Sequence, residues 1–123
     1  MIFSQIAVTL ILLILLDMLW FQISGPTIYN PMFTRINGTS GYMVIISAII
    51  SWTLIATLIT LFAKSNMDAL LLGLLSYGIY NATNYATIKN WTLSTFIVDT
   101  VWGGVVCLTA FSLLPKIMEI SPI

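Results

Sequence analysis

Four apolar runs, each long enough to cross a lipid bilayer, dominate the sequence. They cover approximately residues 3–24, 42–63, 69–88 and 91–114. The hydrocarbon core of a bilayer requires about 20 apolar residues per helix. Because lipid offers the backbone no hydrogen-bond partners, each run is predicted to form an α-helix. The sequence therefore predicts an all-α integral membrane protein that crosses the membrane several times.

Turn signals separate the four runs. Gly25-Pro26 begins a predicted first loop, and the tight turns Lys64-Ser65-Asn66 and Lys89-Asn90 follow the second and third runs. Short turns make neighbouring helices antiparallel, so we predict an antiparallel four-helix bundle that forms one transmembrane domain over residues 1–123. Pro115 is predicted to end the fourth helix.

The charge content agrees with lipid as the solvent and narrows the range of functions. Only 7% of the residues are charged, against about 25% in soluble domains. The formal net charge is zero, so nucleic acid is not a predicted partner. The chain has no histidine and one cysteine, which removes the usual metal sites, an internal disulfide and a Ser-His pair. We predict no catalytic residues, no metal ligands and no cofactor, with membrane lipid as a partner.

Two carboxyl groups lie inside predicted spans, where lipid should exclude them. Asp17 lies in the last third of the first run, and Asp99 in the first half of the fourth. The antiparallel arrangement puts the end of the first helix and the start of the fourth on the same side of the membrane. At a rise of about 1.5 Å per residue, both acids are predicted to lie roughly 12 Å below that surface. An intramembrane carboxyl group is costly to insert, which makes this pair a functional hypothesis.

Other polar and aromatic side chains fall near the same predicted depth. The third run carries a stripe at helical spacing, and Ser47 and Ser51 are spaced i, i+4 in the second run. Each acid begins an Asp-x-x-Trp pattern, which places an indole on the face that carries the carboxyl group. The predicted binding or ion-pathway layer consists of Asp17, Trp20, Tyr77, Tyr80, Asn81, Asn84, Asp99 and Trp102.

Small residues predict close contact between the last two helices. Gly73 and Gly78 lie on the third run, and Gly103 and Gly104 on the fourth. Small side chains let helix backbones approach one another within a membrane.

Three motifs together resemble the family of predicted membrane proteins called domain of unknown function 2177. They are Leu16-Asp17-x-x-Trp20 with Pro26-x-x-Tyr29 in the loop after it, the run from Tyr80 to Trp91, and Val98-Asp99-x-x-Trp102-Gly103. The resemblance covers nearly the whole chain and implies a four-helix membrane protein, but it implies no reaction. The family pattern has Tyr-Asp-x-Thr-Asn in the third helix. Asn81 takes the place of that Asp, so it keeps hydrogen bonding but cannot carry a proton.

Several functions stay open from the sequence. The first is a small channel or transporter for protons, cations or a cationic solute, working as a homo-oligomer because four helices enclose little space. The alternative is a non-catalytic interaction or assembly subunit of a larger membrane complex. The polar layer also fits a purely structural hydrogen-bonded cluster that holds helices together. An enzyme that acts on lipid through the paired acids is a further hypothesis.

Overall fold

The computed structural model describes residues 1–120, and its regular elements are helical. In chain order they are α1 (Ile2–Ser24), one turn of π-helix (Gly25–Tyr29), α2 (Asn30–Asn37), α3 (Ile45–Phe62), α4 (Asn66–Thr87) and α5 (Leu93–Ile120). The long helices begin and end close to the predicted limits, apart from the end of α5. The predicted all-α membrane bundle is confirmed.

The first predicted loop is largely helical. After Ser24 the chain makes one π-helical turn and continues directly into α2. Pro26 is tolerated because it stands in the first turn of this element, where a backbone N–H would have no helical partner. Gly38 then ends α2 in the left-handed conformation, with φ at 79°. The prediction that Gly25-Pro26 ends regular structure was therefore wrong, and the loop proper covers residues 38–44.

The prediction that Pro115 ends the last helix was also wrong, because α5 continues through it to Ile120. Proline removes one helical hydrogen bond, the one that its N–H would donate to the carbonyl of Phe111. The turns of α5 before this point are packed against α1 and α4. One missing bond near the end of so long a helix is not enough to stop it.

The turn before α4 is built by two side chains. Ser65 Oγ accepts a hydrogen bond from the backbone N–H of Asp68 at 3.1 Å, and Asp68 Oδ2 accepts one from the N–H of Lys64 at 2.9 Å. This reciprocal arrangement satisfies donors that a helix start leaves free. Asp68 also places a negative charge at the positive end of the helix dipole.

Helix α5 lies at the centre of the bundle. It packs most extensively against α4 and also contacts α1, which in turn packs against α3. The core is an apolar cluster contributed by α1, α3 and α5: Leu13, Ala56, Ile59, Val106, Cys107 and Ala110.

The outer surface of the bundle is apolar, as a lipid environment requires. Leu15, Leu54, Ile79 and Val101, one from each long helix, are all more than half exposed. Three helical segments, Ile2–Asn37, Ile45–Phe62 and Leu93–Ile120, are long and apolar enough to cross a membrane. Helix α4, with 22 residues, is long enough to cross a membrane, but its second half is more polar.

The close approach of α4 to α5 depends on glycine. A methyl group added at Gly103 would overlap Cβ and Cγ of Tyr77, and one added at Gly73 would overlap the carbonyl oxygen of Gly103. At Gly78 the nearest atom would be Thr100 Cγ2 at 3.4 Å, an ordinary contact. The predicted small-residue contact is therefore present at Gly73 and Gly103, but Gly78 is not required for it.

Candidate functional site

Asp17 is buried in the bundle and accepts hydrogen bonds from three other helices. Its side chain is 4% exposed. The indole of Trp52 on α3 donates to Oδ2 at 2.6 Å, and the indole of Trp102 on α5 donates to Oδ1 at 2.7 Å. Tyr77 on α4 contributes a longer bond, from its hydroxyl to Oδ2, at 3.4 Å. All four long helices therefore meet at this carboxyl group.

Asp99 on α5 forms a second buried centre and is 7% exposed. The hydroxyl of Tyr29 donates to its Oδ1 at 2.5 Å, and the amide of Asn81 donates to its Oδ2 at 2.6 Å. The second amide proton of Asn81 goes to the carbonyl of Tyr77 at 2.9 Å, and its Oδ1 accepts from the indole of Trp91 at 3.3 Å. Asn81 is fully buried and all its polar atoms are paired, so its amide has one defined orientation.

Tyr29 reaches Asp99 because the chain bends at the π-helical turn. In a straight helix, Phe21 and Tyr29 would be about 12 Å apart along the axis. Their ring centroids are 5.0 Å apart and nearly perpendicular, which shows how sharply the chain turns. A proline together with a π-turn is a recognised cause of such a bend. The bend brings the Tyr29 hydroxyl into the bundle, where it also accepts a bond of 2.9 Å from the Trp20 indole.

The two carboxyl groups lie in two tiers rather than at one predicted level. On α5, Trp102 donates a hydrogen bond to Asp17 and follows Asp99 by three residues, or about 4.5 Å of helix. On α4, Tyr77 donates to Asp17 and Asn81 donates to Asp99. Tyr77 precedes Asn81 by four residues, or about 6 Å of helix. Both helices thus place Asp17 about one turn deeper than Asp99.

The tryptophan of each Asp-x-x-Trp motif is linked to the acid of the other motif, directly or through Tyr29. Trp102, which follows Asp99, donates to Asp17, while Trp20, which follows Asp17, donates to Tyr29 and through it reaches Asp99. The two indoles stack with centroids 4.6 Å apart and planes 10° from parallel. The stack therefore joins the two tiers into one cluster.

A comparison with known protein families bears on this geometry. The family described as predicted membrane protein, DUF2177, matches residues 2–114, which include both acids and every hydrogen-bond donor to them. The chain belongs to the DUF2177 family. No curated protein and no solved structure shows a significant match.

The structure of this DUF2177 protein brings together six of the eight residues predicted for the layer. Of the other two, Tyr80 is 53% exposed and packs at the edge of the cluster against the Trp91 ring, with centroids 5.9 Å apart, and Asn84 makes no hydrogen bond to either acid. Ser47 and Ser51 are exposed on α3 and make no hydrogen bond to either acid, so they do not join the cluster.

Three site residues were missed from the sequence. They are Trp52, Trp91 and Tyr29, the last of which lies in the segment predicted to be the first loop. Trp52 lies near the middle of its run, close to the predicted depth of Asp17, and this depth could have identified it as a partner. The long connection between α1 and α3 leaves the register of the two helices undefined by the sequence. No local pattern placed Tyr29 inside the bundle.

Within residues 1–120, every hydrogen bond to the two acids of this DUF2177 protein comes from a neutral group. The donors are two indoles, two phenols and one amide. Neutral donors stabilise a carboxylate but do not cancel its charge, and two uncompensated charges repel strongly in a region of low dielectric constant. The cluster is therefore suited to hold a proton or another small cation together with the two carboxyl groups.

Proposed function

We propose that this protein is a small membrane channel or transporter that moves protons, or other small cations, by way of Asp17 and Asp99. The observation that carries the proposal is the pair of buried carboxyl groups, whose hydrogen-bond donors in the described part of the chain are all neutral. A lone intramembrane carboxyl is expensive, and a functional role is the usual reason for its presence. In this cluster the charge balance must come from a bound proton or cation.

A proton fits the cluster better than a metal ion or a larger cation. Four of the five donors lie 2.5–2.7 Å from the carboxyl oxygens, so the acids are already closely surrounded. A metal ion would have to displace these donors, whereas a proton needs no added volume. The Tyr29 hydroxyl accepts from Trp20 and donates to Asp99, so both of its hydrogen-bonding roles serve to hold Asp99 in place.

Asn81 limits which groups of the cluster can carry a proton. Its amide donates to Asp99 at 2.6 Å and cannot ionise. The resemblance described above places an aspartate of the family pattern at this position. In this member, we propose that Asp17 and Asp99 carry the proton and that Asn81 only orients Asp99.

Self-association belongs to the same proposal. Four helices enclose little space, and the two acids are buried within one copy of the chain. One copy leaves little room for a pathway from the buried acids to both membrane surfaces, and several copies together supply more helices to enclose it. We therefore propose that the working unit is a homo-oligomer.

Proton flux into liposomes tests the proposal. The purified protein is reconstituted with a pH-sensitive dye inside the vesicles, and a proton gradient is imposed with a potassium ionophore present to remove the opposing voltage. The parent protein is expected to dissipate the gradient faster than empty liposomes. Asp17→Asn and Asp99→Asn remove the ionisable groups at nearly constant volume, and each is expected to reduce the flux to the level of empty liposomes.

Glu119→Gln is the matched control for this experiment. It makes the same change of carboxyl to amide at an exposed position on α5, and flux is expected to be unchanged. Circular dichroism and gel filtration establish that each variant is folded. Parent protein that dissipates the proton gradient no faster than empty liposomes would contradict the proposal and would favour the role of an assembly subunit in a larger membrane complex. Full flux in both acid variants would contradict the assignment of the pathway.

A further inference from the structure

Residues 25–37, the π-helical turn together with α2, form a cap over the end of the bundle nearest Asp99, where α1 and α4 end and α5 begins. The side of the cap that faces the bundle is apolar and aromatic. Tyr29 is 4% exposed and Met32 is fully buried, while Phe33 is half-buried. The opposite side is exposed and carries the polar residues Asn30, Thr34, Arg35 and Asn37. The cap is therefore amphipathic, with its apolar side on the bundle.

A row of three aromatic rings closes Asp99 from this end of the bundle. The ring centroids of Tyr29 and Phe33 are 6.2 Å apart, and those of Phe33 and Trp91 are 6.1 Å apart. Tyr29 donates to Asp99 directly, and the Trp91 indole reaches it through Asn81. Two of the rings belong to the cap and the third to the turn between α4 and α5, so the row is divided by a seam between Phe33 and Trp91.

Side chains alone hold α2 to the bundle along this seam. Within residues 1–120, the one element whose backbone comes close to α2 is the π-helical turn before it. Phe33 packs on Trp91, and the sulfur of Met32 accepts a hydrogen bond from the backbone N–H of Thr92 at 3.3 Å. A thioether sulfur is a weak acceptor. A segment with so few contacts is expected to open at a much lower free energy than the long helices.

Both ends of α2 are suited to act as hinges. The π-helical turn comes before it, and such turns occur mainly at functional sites. After it, Gly38 has a φ of 79°, and the loop over residues 38–44 is exposed throughout. Hinges of this kind at the ends of an element allow it to swing while its neighbours, here α1 and α3, stay in place.

We propose that the cap is a gate that opens along this seam and exposes Asp99 to the water on its side of the membrane, while Asp17 stays closed. Of the two acids, Asp99 alone takes a hydrogen bond from the cap, through Tyr29. The donors to Asp17 come from α3, α4 and α5, so movement of the cap leaves them in place. The inference rests on the proposed function, because it names Asp99 as the acid that first exchanges protons with the outside.

Carbodiimide labelling measures the opening of the cap. The protein in lipid nanodiscs is treated with a water-soluble carbodiimide and glycine ethyl ester, which convert an accessible carboxyl group to an amide, and each aspartate is quantified by mass spectrometry. In the parent, Asp99 is expected to be labelled slowly and Asp17 far more slowly. Phe33→Ala removes the ring at the seam and is expected to raise labelling of Asp99 about tenfold, because labelling follows the population of the open form. Met32→Leu is a milder variant that keeps the apolar volume but removes the sulfur, and about a threefold rise is expected.

Phe111→Ala is the matched control, because it makes the same change to a half-buried ring in the other half of α5. Labelling of Asp99 is expected to be unchanged in this variant. If Asp17 labelling rose together with Asp99 labelling in the cap variants, the whole bundle would be loosening, and the proposal would be overturned. Asp99 labelling no faster than that of Asp17 in the parent and in both cap variants would also overturn it, because the cap would then be a fixed part of the fold.

The labelling result is independent of the flux measurement. Selective labelling of Asp99 in a protein that moves no protons would count against the transport proposal and would leave the moving cap standing. Proton flux by a protein whose Asp99 is not labelled would overturn the gate alone.

Discussion

Gly103→Ala is expected to destabilise the protein by about 3 kcal/mol, at the upper end of the usual cost of overpacking. The added methyl group would overlap Cβ and Cγ of Tyr77. Since Cβ is fixed to the backbone, a change of side-chain rotamer cannot relieve the overlap, and α4 has to move away from α5. That movement would also carry the Tyr77 hydroxyl away from Asp17.

Gly78→Ala is the matched control on the same pair of helices. Its methyl group would meet only Thr100 Cγ2, at 3.4 Å. Alanine also has a higher helix propensity than glycine, by about 1 kcal/mol in water, so this variant is expected to be as stable as the parent or slightly more so. Unfolding by denaturant in mild detergent, followed by circular dichroism, compares the two. Equal stability of the two alanine variants would contradict the assigned contact.

The Asp17→Leu change is expected to cost about 2–4 kcal/mol of stability, because three buried donors lose their acceptor at about 1–3 kcal/mol each. The donors are the indoles of Trp52 and Trp102 and the hydroxyl of Tyr77. Leucine removes the cost of burying a carboxyl group, which offsets part of this loss. Asp17→Asn keeps one acceptor oxygen and is expected to lose about half as much.

The same unfolding measurement, with tryptophan fluorescence added, tests this prediction. Fluorescence is informative because two of the orphaned donors are indoles. The ranking expected is parent, then Asp17→Asn, then Asp17→Leu. If Asp17→Leu were as stable as the parent, the hydrogen bonds around Asp17 would contribute nothing to the fold.

The helices could be predicted from the sequence because apolar length and turn residues are local signals. The four long helices, the turns before α4 and α5, and the close contact at Gly73 and Gly103 all follow from such signals. The errors at Pro26 and Pro115 have a common cause. Proline commonly marks the end of a helix, yet it is tolerated in the first turn of an element and near the end of a long, packed helix.

The candidate site was only partly predictable because its partners are set by register. Asp17 and Asp99 are conspicuous in an apolar run, so the sequence alone identifies them. Trp52 becomes a partner only when the register of α1 against α3 is known, and a loop of several residues does not define it. The hydroxyl of Tyr29 enters the bundle only because of the bend at the π-helical turn. Both features depend on tertiary packing.

The central claim is that the buried pair of acids takes up and releases a proton, and infrared difference spectroscopy tests this most directly. A pH step is applied to the protein in lipid, and the carbonyl stretch of protonated carboxyl groups is recorded. We expect a pH-dependent band that is lost in the Asp17→Asn/Asp99→Asn double variant and kept in Glu119→Gln. A spectrum in which the double variant and the parent respond identically would mean that neither buried acid changes its protonation state, and it would contradict the claim.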